Sequence, residues 1–158
     1  MQSSRFFFIA LFLAALGAAG MIWIYYEGEK SDNRGDMETI YLGGRTLEVK
    51  IADDNFERQQ GLQGVAELGG YDGMLFVFDS GGSVSFWNKN TLLDLDLVWI
   101  REGKVTGVSF LPRERERGLV TLASPEGGVE MVLELPAGRA EALGVTVGTS
   151  FSLSSRLQ

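Results

Sequence analysis

An uninterrupted apolar segment near the N-terminus limits the architecture of this chain more than any other feature of its sequence. Residues 6–26 carry no charged side chain, and they end in Trp23, Tyr25 and Tyr26. A helix of about 20 apolar residues crosses the hydrocarbon core of a bilayer, and aromatic side chains collect at the bilayer interfaces. The sequence therefore predicts a short cytoplasmic tail, residues 1–5, followed by a transmembrane anchor, residues 6–26.

A cleaved secretory signal is the alternative interpretation of this segment, because Arg5 precedes it and small residues occur within 14–20. The apolar region of such a signal usually spans about 7–15 residues, whereas here the apolar run continues through residues 22–24. We therefore favour an uncleaved anchor. Basic residues on its two sides are nearly balanced, but a segment of this kind usually delivers the downstream part of the chain to the exterior. We expect a single-pass protein of the cell membrane with its domain on the extracytoplasmic side.

The rest of the chain is long enough for one domain. Residues 27–37 are polar and predict a tether, and residues 38–158 predict a β-rich domain. The expected fold class is mainly β or α+β, a curled sheet or partly closed barrel of about seven strands with two short helices. Alternating apolar residues and glycine-rich turns predict strands near residues 40–42, 47–51, 74–78, 84–87, 92–100, 104–111, 129–135 and 151–153. The helices are predicted at residues 55–60 and 136–143.

Charge and residue composition remove several classes of function. After residue 26 the chain has 13 basic and 21 acidic residues, a formal balance of −8, which argues against nucleic acid or an anionic lipid surface as the partner. Cysteine and histidine are absent from the sequence, which excludes disulfides, thiolate and imidazole catalysis and the usual zinc sites. No cofactor is predicted. An enzyme of this composition depends on carboxylates, Lys, Ser, Thr, Tyr or an oxygen-bound metal.

Four motifs give the domain a resemblance to a known family. They are Glu57-Arg58-Gln59-Gln60-Gly61-Leu62, Gly73-Met74-Leu75-Phe76-Val77-Phe78, Trp87-Asn88-Lys89-Asn90-Thr91-Leu92-Leu93-Asp94-Leu95-Asp96 and Leu133-Glu134-Leu135-Pro136-Ala137-Gly138. In this order, across residues 40–153, they resemble domain of unknown function family one hundred and ninety-two of bacteria and archaea. The resemblance implies an anchored or secreted β-rich domain without a settled activity.

Agreement with the family pattern also selects candidate site residues. The pattern usually has Met where this chain has Gln63 and Asn88, and Pro where it has Asp94. We treat Asn88 and Asp94 as local variations. The residues that keep the pattern join Arg58 as candidate ligand-binding residues: Trp87, Lys89, Asn90, Thr91 and Asp96.

Two aspartates form the most conspicuous acidic pair in these motifs. Strand alternation places Asp94 and Asp96 on one face among apolar side chains. Because a carboxylate removed from water needs a partner, Asp96 is expected to pair with Arg58 or Lys89 and brace the sheet against a helix, or else to face a ligand. The pair could hold Ca²⁺ or Mg²⁺, but such cations usually take about six oxygen ligands. No metal site is therefore predicted.

Several other side chains have both a structural and a functional interpretation. Trp87 is either a core residue or an exposed platform on which a sugar or a peptide side chain stacks. Glu57 and Arg58 are expected to form a surface ion pair rather than a catalytic one. Glu134 interrupts an apolar strand, and pairing with a basic residue explains it. The charged segment 112–118 is predicted to be a solvated loop that could also dock a partner.

The preferred functional hypothesis is a non-catalytic binding or interaction module of the cell envelope. Its partner would be an envelope glycan, a peptide or a membrane protein, and its contact surface a concave polar patch around Trp87, Lys89 and Asn90.

The alternative hypothesis is a carboxylate-dependent hydrolase that acts on an envelope glycan or a related polymer. Such an enzyme needs two carboxyl groups that face one cleft, roughly 5–9.5 Å apart. The candidates for its acid and base are Asp96 together with Asp94, Glu57 or Glu134.

Overall fold

The computed structural model describes residues 37–154 of the chain. The predicted tail, the predicted anchor at residues 6–26 and nearly all of the predicted tether lie outside the described residues. Among the helices within residues 37–154, none is long and apolar enough to cross a membrane. The anchor and the sidedness of the domain therefore stay predictions.

The described part of the chain folds into a curled seven-stranded sheet, a separate pair of strands and a few short helices. The strands are β1 Met37–Leu42, β2 Arg45–Ala52, β3 Gly73–Gly82, β4 Ser85–Trp87, β5 Leu95–Arg101, β6 Lys104–Leu111, β7 Thr121–Ala123, β8 Val129–Pro136 and β9 Phe151–Leu153. The helices are α1 Asn55–Gln60, α2 Glu114–Arg117 and α3 Arg139–Ala142. The strand order of the large sheet is β6-β5-β8-β3-β2-β1-β9, and β4 pairs with β7.

The two edge strands of the sheet approach each other, so the sheet curls into a half-barrel. Lys104 at the start of β6 forms an isolated bridge with Ser150, just before β9. The backbone N–H of Phe151 donates to the carbonyl of Gly103 at 2.8 Å, and that of Val105 donates to Thr149 at 2.9 Å. These bonds confirm the predicted curled sheet, and they hide part of both edges from other chains.

Each face of the sheet has its own apolar core, which explains why β5 is apolar almost throughout. Val98 and Ile100 belong to the core on the concave face, whereas Leu95, Leu97 and Trp99 belong to the core on the convex face. This division follows from the alternation of side chains along a strand. The concave core fills the half-barrel, and the β4–β7 pair covers the convex core.

Local sequence signals predicted most of these elements. The hairpin between β1 and β2 turns through Gly43 and Gly44, whose φ angles of 58° and 79° favour glycine. Helix α1 begins after Asp54, whose carboxylate accepts the backbone N–H of Glu57 at 2.7 Å. The strands predicted at residues 104–111 and 151–153 have the predicted bounds.

The differences lie where tertiary contacts decide the local structure. Strand β5 begins at Leu95 rather than at residue 92, and Pro136 ends β8 instead of opening a helix. The segment 112–118, predicted as a loop, contains the single turn of α2, and the short strand β7 was not predicted.

Candidate functional site

A cleft on the convex face of the sheet brings together residues from distant parts of the chain. It has a deep cavity of about 30 Å³ and an adjoining shallow cavity of about 290 Å³. Helix α1 and the loop after it form one wall, β4 and the loop after it form the other, and β3 and β8 supply the floor. The side chains that line both cavities are Gln59, Gln60, Gln63 and Trp87.

Trp87 and Lys89 form the rim of the cleft. Trp87 is the last residue of β4, and 42% of it is exposed. The Nζ of Lys89 lies 5.0 Å from the centroid of the Trp87 ring, a distance at which a cation is attracted to an indole face. Phe56 is 74% exposed and adds a second accessible ring to the shallow cavity. Trp87 is therefore not a core residue, and its role as a stacking platform stays a prediction.

Asn90 and Thr91 shape the cleft from the loop after β4. Asn90 has a positive φ of 54°; its backbone N–H donates to a carboxylate oxygen of Glu114 at 2.7 Å, and its side-chain amide donates to Oε1 of Gln63 at 3.3 Å. Thr91 is buried, forms an isolated bridge with Gln63 and lines the deep cavity. Both residues thus position a glutamine that lines the deep and the shallow cavity.

Arg58 lines the deep cavity, but its guanidinium group is already bound within the protein. Its Nη1 donates to the carbonyl oxygens of Asp53 and Val77, the second at 2.7 Å, and its Nη2 donates to Oδ1 of Asn55 at 3.0 Å. The expected surface ion pair with Glu57 is not among the ion pairs of the described residues. Instead, the Glu57 carboxylate accepts the backbone N–H of Asp53 at 3.2 Å.

Glu134 of β8 lies at the floor of the deep cavity, beside Phe76 and Phe86. The residue is 5% exposed, and within residues 37–154 its Oε2 has no hydrogen-bond partner. Burial disfavours the charged form and raises the pKa of Glu134 to about 8, so the carboxyl group is mostly neutral at pH 7. The prediction that Glu134 pairs with a basic residue is wrong, because the cation in this cavity, Arg58, is bound elsewhere.

The sequence contained a signal for this buried acid. Glu134 pairs with Leu97 of β5 and with Met74 of β3, so it lies in the middle of the sheet rather than at an edge. A glutamate within the apolar run of a central strand is difficult to expose to water. The alternation along β8 then places it on the same face as Val132, in the convex core.

Asp96 lies on the opposite face of the sheet from the cleft. It is buried, and its Oδ2 accepts the backbone N–H of Ala140 in α3 at 3.0 Å. The prediction that Asp96 pairs with Arg58 or Lys89 is wrong, because both of those residues line the cleft on the convex face. The expectation that Asp96 braces the sheet against a helix is confirmed, with a helix backbone as its partner.

Asp94 does not share a site with Asp96. It precedes β5, and its carboxylate accepts the backbone N–H of Arg113 at 2.8 Å and the Nη2 of the same residue at 3.0 Å. The predicted common strand face fails because the strand begins only at Leu95. Within residues 37–154, no group of three or more acidic side chains is placed to hold a metal ion.

Replacing Asp96 with Ala is expected to lower the free energy of unfolding by roughly 1–3 kcal/mol, because the N–H of Ala140 then loses its buried acceptor. Urea denaturation of the full-length chain measures this loss. The control is Asp79→Ala, a substitution at an exposed aspartate of β3. Equal stabilities of the two variants would contradict a bracing role for Asp96.

Asn88 is a site residue that the family pattern had marked only as a local variation. It is fully buried, and its Nδ2 donates to the carbonyls of Pro112 and Gly118 at 2.9 and 2.8 Å. Its Oδ1 accepts the backbone N–H of Val120 at 2.7 Å. Asn88 therefore ties the loop that carries Lys89 to a segment more than twenty positions along the chain.

Another departure from the family pattern, Asp94, fixes the same segment. Asp94 binds Arg113 through its carboxylate, and the N–H of Glu114 donates to the carbonyl of Thr91 at 3.2 Å. Segment 112–118 was predicted to be solvated, and its residues 115–118 are exposed. At its start, however, Pro112 is buried and residues 113 and 114 are partly buried. Asn88 and Asp94 together hold this segment against the wall of the cleft.

Comparison with known proteins supports the fold and its family. The chain matches the family DUF192, described as "Uncharacterized ACR", over residues 38–153. This match confirms the resemblance drawn from the four motifs. No curated protein matches the chain.

Two solved structures are similar to this one. A protein of Sinorhizobium meliloti 1021, described as a proposed transcription regulator, is 31% identical, with a TM-score of 0.65 over 75% of this chain and 95% of that one. A protein of unknown function from Novosphingobium aromaticivorans DSM 12444 is 23% identical, with a TM-score of 0.66 over 73% of this chain and 84% of that one. The second likeness concerns the fold alone.

Proposed function

This chain belongs to the DUF192 family, and we propose that its domain is a non-catalytic binding module of the cell envelope that takes its ligand in the cleft at Trp87. The observation that carries the proposal is the convergence of Arg58, Trp87, Lys89 and Thr91 on the cleft, although α1 and the loop after β4 are far apart in sequence. Ligand pockets typically combine apolar and aromatic walls with a few placed polar groups.

The side chains at the rim suit a polar ligand that also has a flat surface able to stack on an aromatic ring. Trp87 and Phe56 offer aromatic surface, and the side chains of Gln59 and Gln60 offer amide groups that both donate and accept hydrogen bonds. Sugar rings and peptide side chains have surfaces of this kind. An envelope glycan, a peptide or a membrane protein is therefore the proposed partner, near the membrane to which the predicted anchor holds the domain.

The hydrolase alternative receives less support from the same cleft. A glycosidase needs two carboxyl groups facing one cavity, but the acidic residue that lines the deep cavity is Glu134, and the shallow cavity has no acidic lining residue. Asp96 lies on the other face of the sheet, and Asp94 binds Arg113. These placements favour binding over catalysis.

A role as a transcription regulator, the description of the Sinorhizobium protein, has no support in the charge of this chain. A regulator that binds nucleic acid neutralises phosphates with a basic surface. Here 21 acidic residues oppose 14 basic ones over the whole sequence. The charge balance therefore favours a ligand other than nucleic acid.

Replacing Trp87 with Ala is expected to abolish ligand binding with little loss of fold stability, because the side chain is 42% exposed. Thermal-shift measurements on the full-length protein, against envelope glycans, peptides and divalent cations, test this. A specific ligand raises the melting temperature of the wild type with increasing concentration. The control is Phe110→Ala, which removes a ring of β6 that is 53% exposed and does not line the cleft.

We expect Phe110→Ala to keep the shift and Trp87→Ala to lose it. A ligand that shifts both variants equally would place the binding site elsewhere. Release of cleaved glycan, detected by mass spectrometry, would support the hydrolase instead.

A further inference from the structure

We infer that the deep cavity receives the acetamido group of an N-acetylated sugar, with the Glu134 carboxyl group donating a hydrogen bond to the acetamido carbonyl oxygen. This inference rests on the proposed function, because the same sugar is held at the rim by Trp87. It assigns Glu134 a role that neither the fold nor the bracing contacts of the sheet require.

The first support is that Glu134, a residue that lines the deep cavity, has a carboxyl oxygen without a partner among residues 37–154. Glu134 is only 5% exposed, and its Oε2 has no partner in the part of the chain that the structure describes. A buried polar group without a partner costs roughly 1–3 kcal/mol. A ligand that forms a hydrogen bond with the Glu134 carboxyl group recovers part of this free energy when it binds.

The second support is the protonation state of this acid. Desolvation raises the pKa of Glu134 to about 8, so at neutral pH the group carries a proton and can donate it to a hydrogen bond. The partner must therefore be an acceptor such as a carbonyl oxygen. An ammonium group would find no charged carboxylate here.

The charged groups around Glu134 do not change this assignment. From α1, Arg58 faces the deep cavity, but three oxygen atoms of the protein bind its guanidinium. Lys89, in the loop after β4, lines the shallow cavity and lies over Trp87. The pairing neighbours of Glu134 on β3 and β5 are Met74 and Leu97, which do not ionise.

The third support is the size and wall chemistry of the deep cavity. About 30 Å³ accommodates roughly two water molecules or a group of two to three heavy atoms. This volume suits the acetyl part of the acetamido group, with the amide nitrogen at the cavity mouth, but not a sugar ring. Phe76 and Phe86 provide an apolar wall for the methyl group, with ring centroids 4.8 Å apart. The ring of the sugar then stays in the shallow cavity of about 290 Å³, beside Trp87.

Calorimetric titration of the full-length protein with triacetylchitotriose and with cellotriose tests this inference. The two trisaccharides share their β-1,4 backbone, and they differ in having acetamido or hydroxyl groups at carbon 2. Triacetylchitotriose is expected to bind at least about tenfold more tightly at pH 6, the effect of one hydrogen bond to a buried group. The preference should fall between pH 7 and pH 9 as Glu134 loses its proton.

Two substitutions of Glu134 distinguish the loss of its hydrogen-bond donor from a general effect on the fold. Glu134→Leu removes the donor, and its affinity for triacetylchitotriose is expected to fall to that for cellotriose. Glu134→Gln keeps a donor that does not titrate, so it should retain the preference at pH 9. Glu141→Gln, at an exposed glutamate of α3, is the control and should behave as the wild type does.

The possible results distinguish this inference from the proposed function. Equal affinity for the two trisaccharides, or a preference that survives in Glu134→Leu, would overturn the acetamido assignment and leave a binding module at Trp87. Binding of neither trisaccharide, together with a peptide whose binding Trp87→Ala abolishes, would overturn the assignment alone. A lack of any ligand whose binding depends on Trp87 would overturn both.

Discussion

Replacing Asn88 with Met is expected to lower the free energy of unfolding by about 2 kcal/mol or more. Three backbone groups lose their side-chain partner in this variant, one in a buried and two in partly buried hydrogen bonds, and a buried polar group left unpaired costs roughly 1–3 kcal/mol. These groups are the carbonyls of Pro112 and Gly118 and the N–H of Val120. The result would be informative because the family pattern usually has Met at this position, so the loss would belong to this chain's own segment 112–118.

Guanidinium denaturation of the full-length chain measures the change. Asn55→Met is a suitable control, because Asn55 is exposed and accepts a single hydrogen bond from Arg58; we expect a change below about 1 kcal/mol there. Hydrogen exchange gives a local readout, since the amide of Val120 should exchange faster in Asn88→Met. Wild-type stability together with wild-type protection of this amide would show that Asn88 does not hold the segment.

Replacing Glu134 with Gln is expected to change how stability depends on pH. The carboxyl group has a pKa of about 8 in the folded protein and an ordinary value of 4.5. Between these pH values the unfolded chain releases the proton and the folded chain keeps it, so the free energy of unfolding falls by about 1.4 kcal/mol per pH unit. This contribution is fully present below pH 4.5 and is lost as the pH rises through 8.

The glutamine cannot titrate, so its stability does not fall in the same way. The free energy of unfolding of the variant therefore rises relative to that of the wild type as the pH increases from 4.5 to 8. At pH 9 the difference is expected to be on the order of several kcal/mol in favour of Glu134→Gln. Urea denaturation at pH 5, 7 and 9 measures it, and Glu141→Gln controls for the loss of a glutamate at the surface. Stability curves that stay parallel across this range would show that Glu134 titrates normally.

Local patterns in the sequence were sufficient for most of the fold. The turn at Gly43 and Gly44 and the helix start at Asp54 depend only on residues a few positions away in the chain. Both can therefore be predicted from the neighbouring sequence alone. The alternation along β5 separated Leu95, Leu97 and Trp99 from Val98 correctly. Helix α2 escaped prediction because it has no side-chain cap, and the contacts that hold it come from Thr91 and Asn90.

The cleft was predicted in part. Trp87 and Lys89 were identified because they keep the pattern of the family that the chain resembles, and both line the shallow cavity. The partner of Asp96 could not be predicted, since it is a backbone N–H more than forty positions away. The burial of Glu134 depends on which strands flank β8, and that order arises from long-range pairing rather than from any local pattern.

Strand β1 is also the point at which the N-terminal part of the chain joins the sheet. Met37 pairs with Lys50, Lys50 pairs with Met74, and Met74 pairs with Glu134. The junction and the floor of the deep cavity thus lie in one row, three strand spacings or about 14 Å apart. A ligand bound in the deep cavity, as proposed, would therefore lie within about 14 Å of the residue at which the chain enters the sheet.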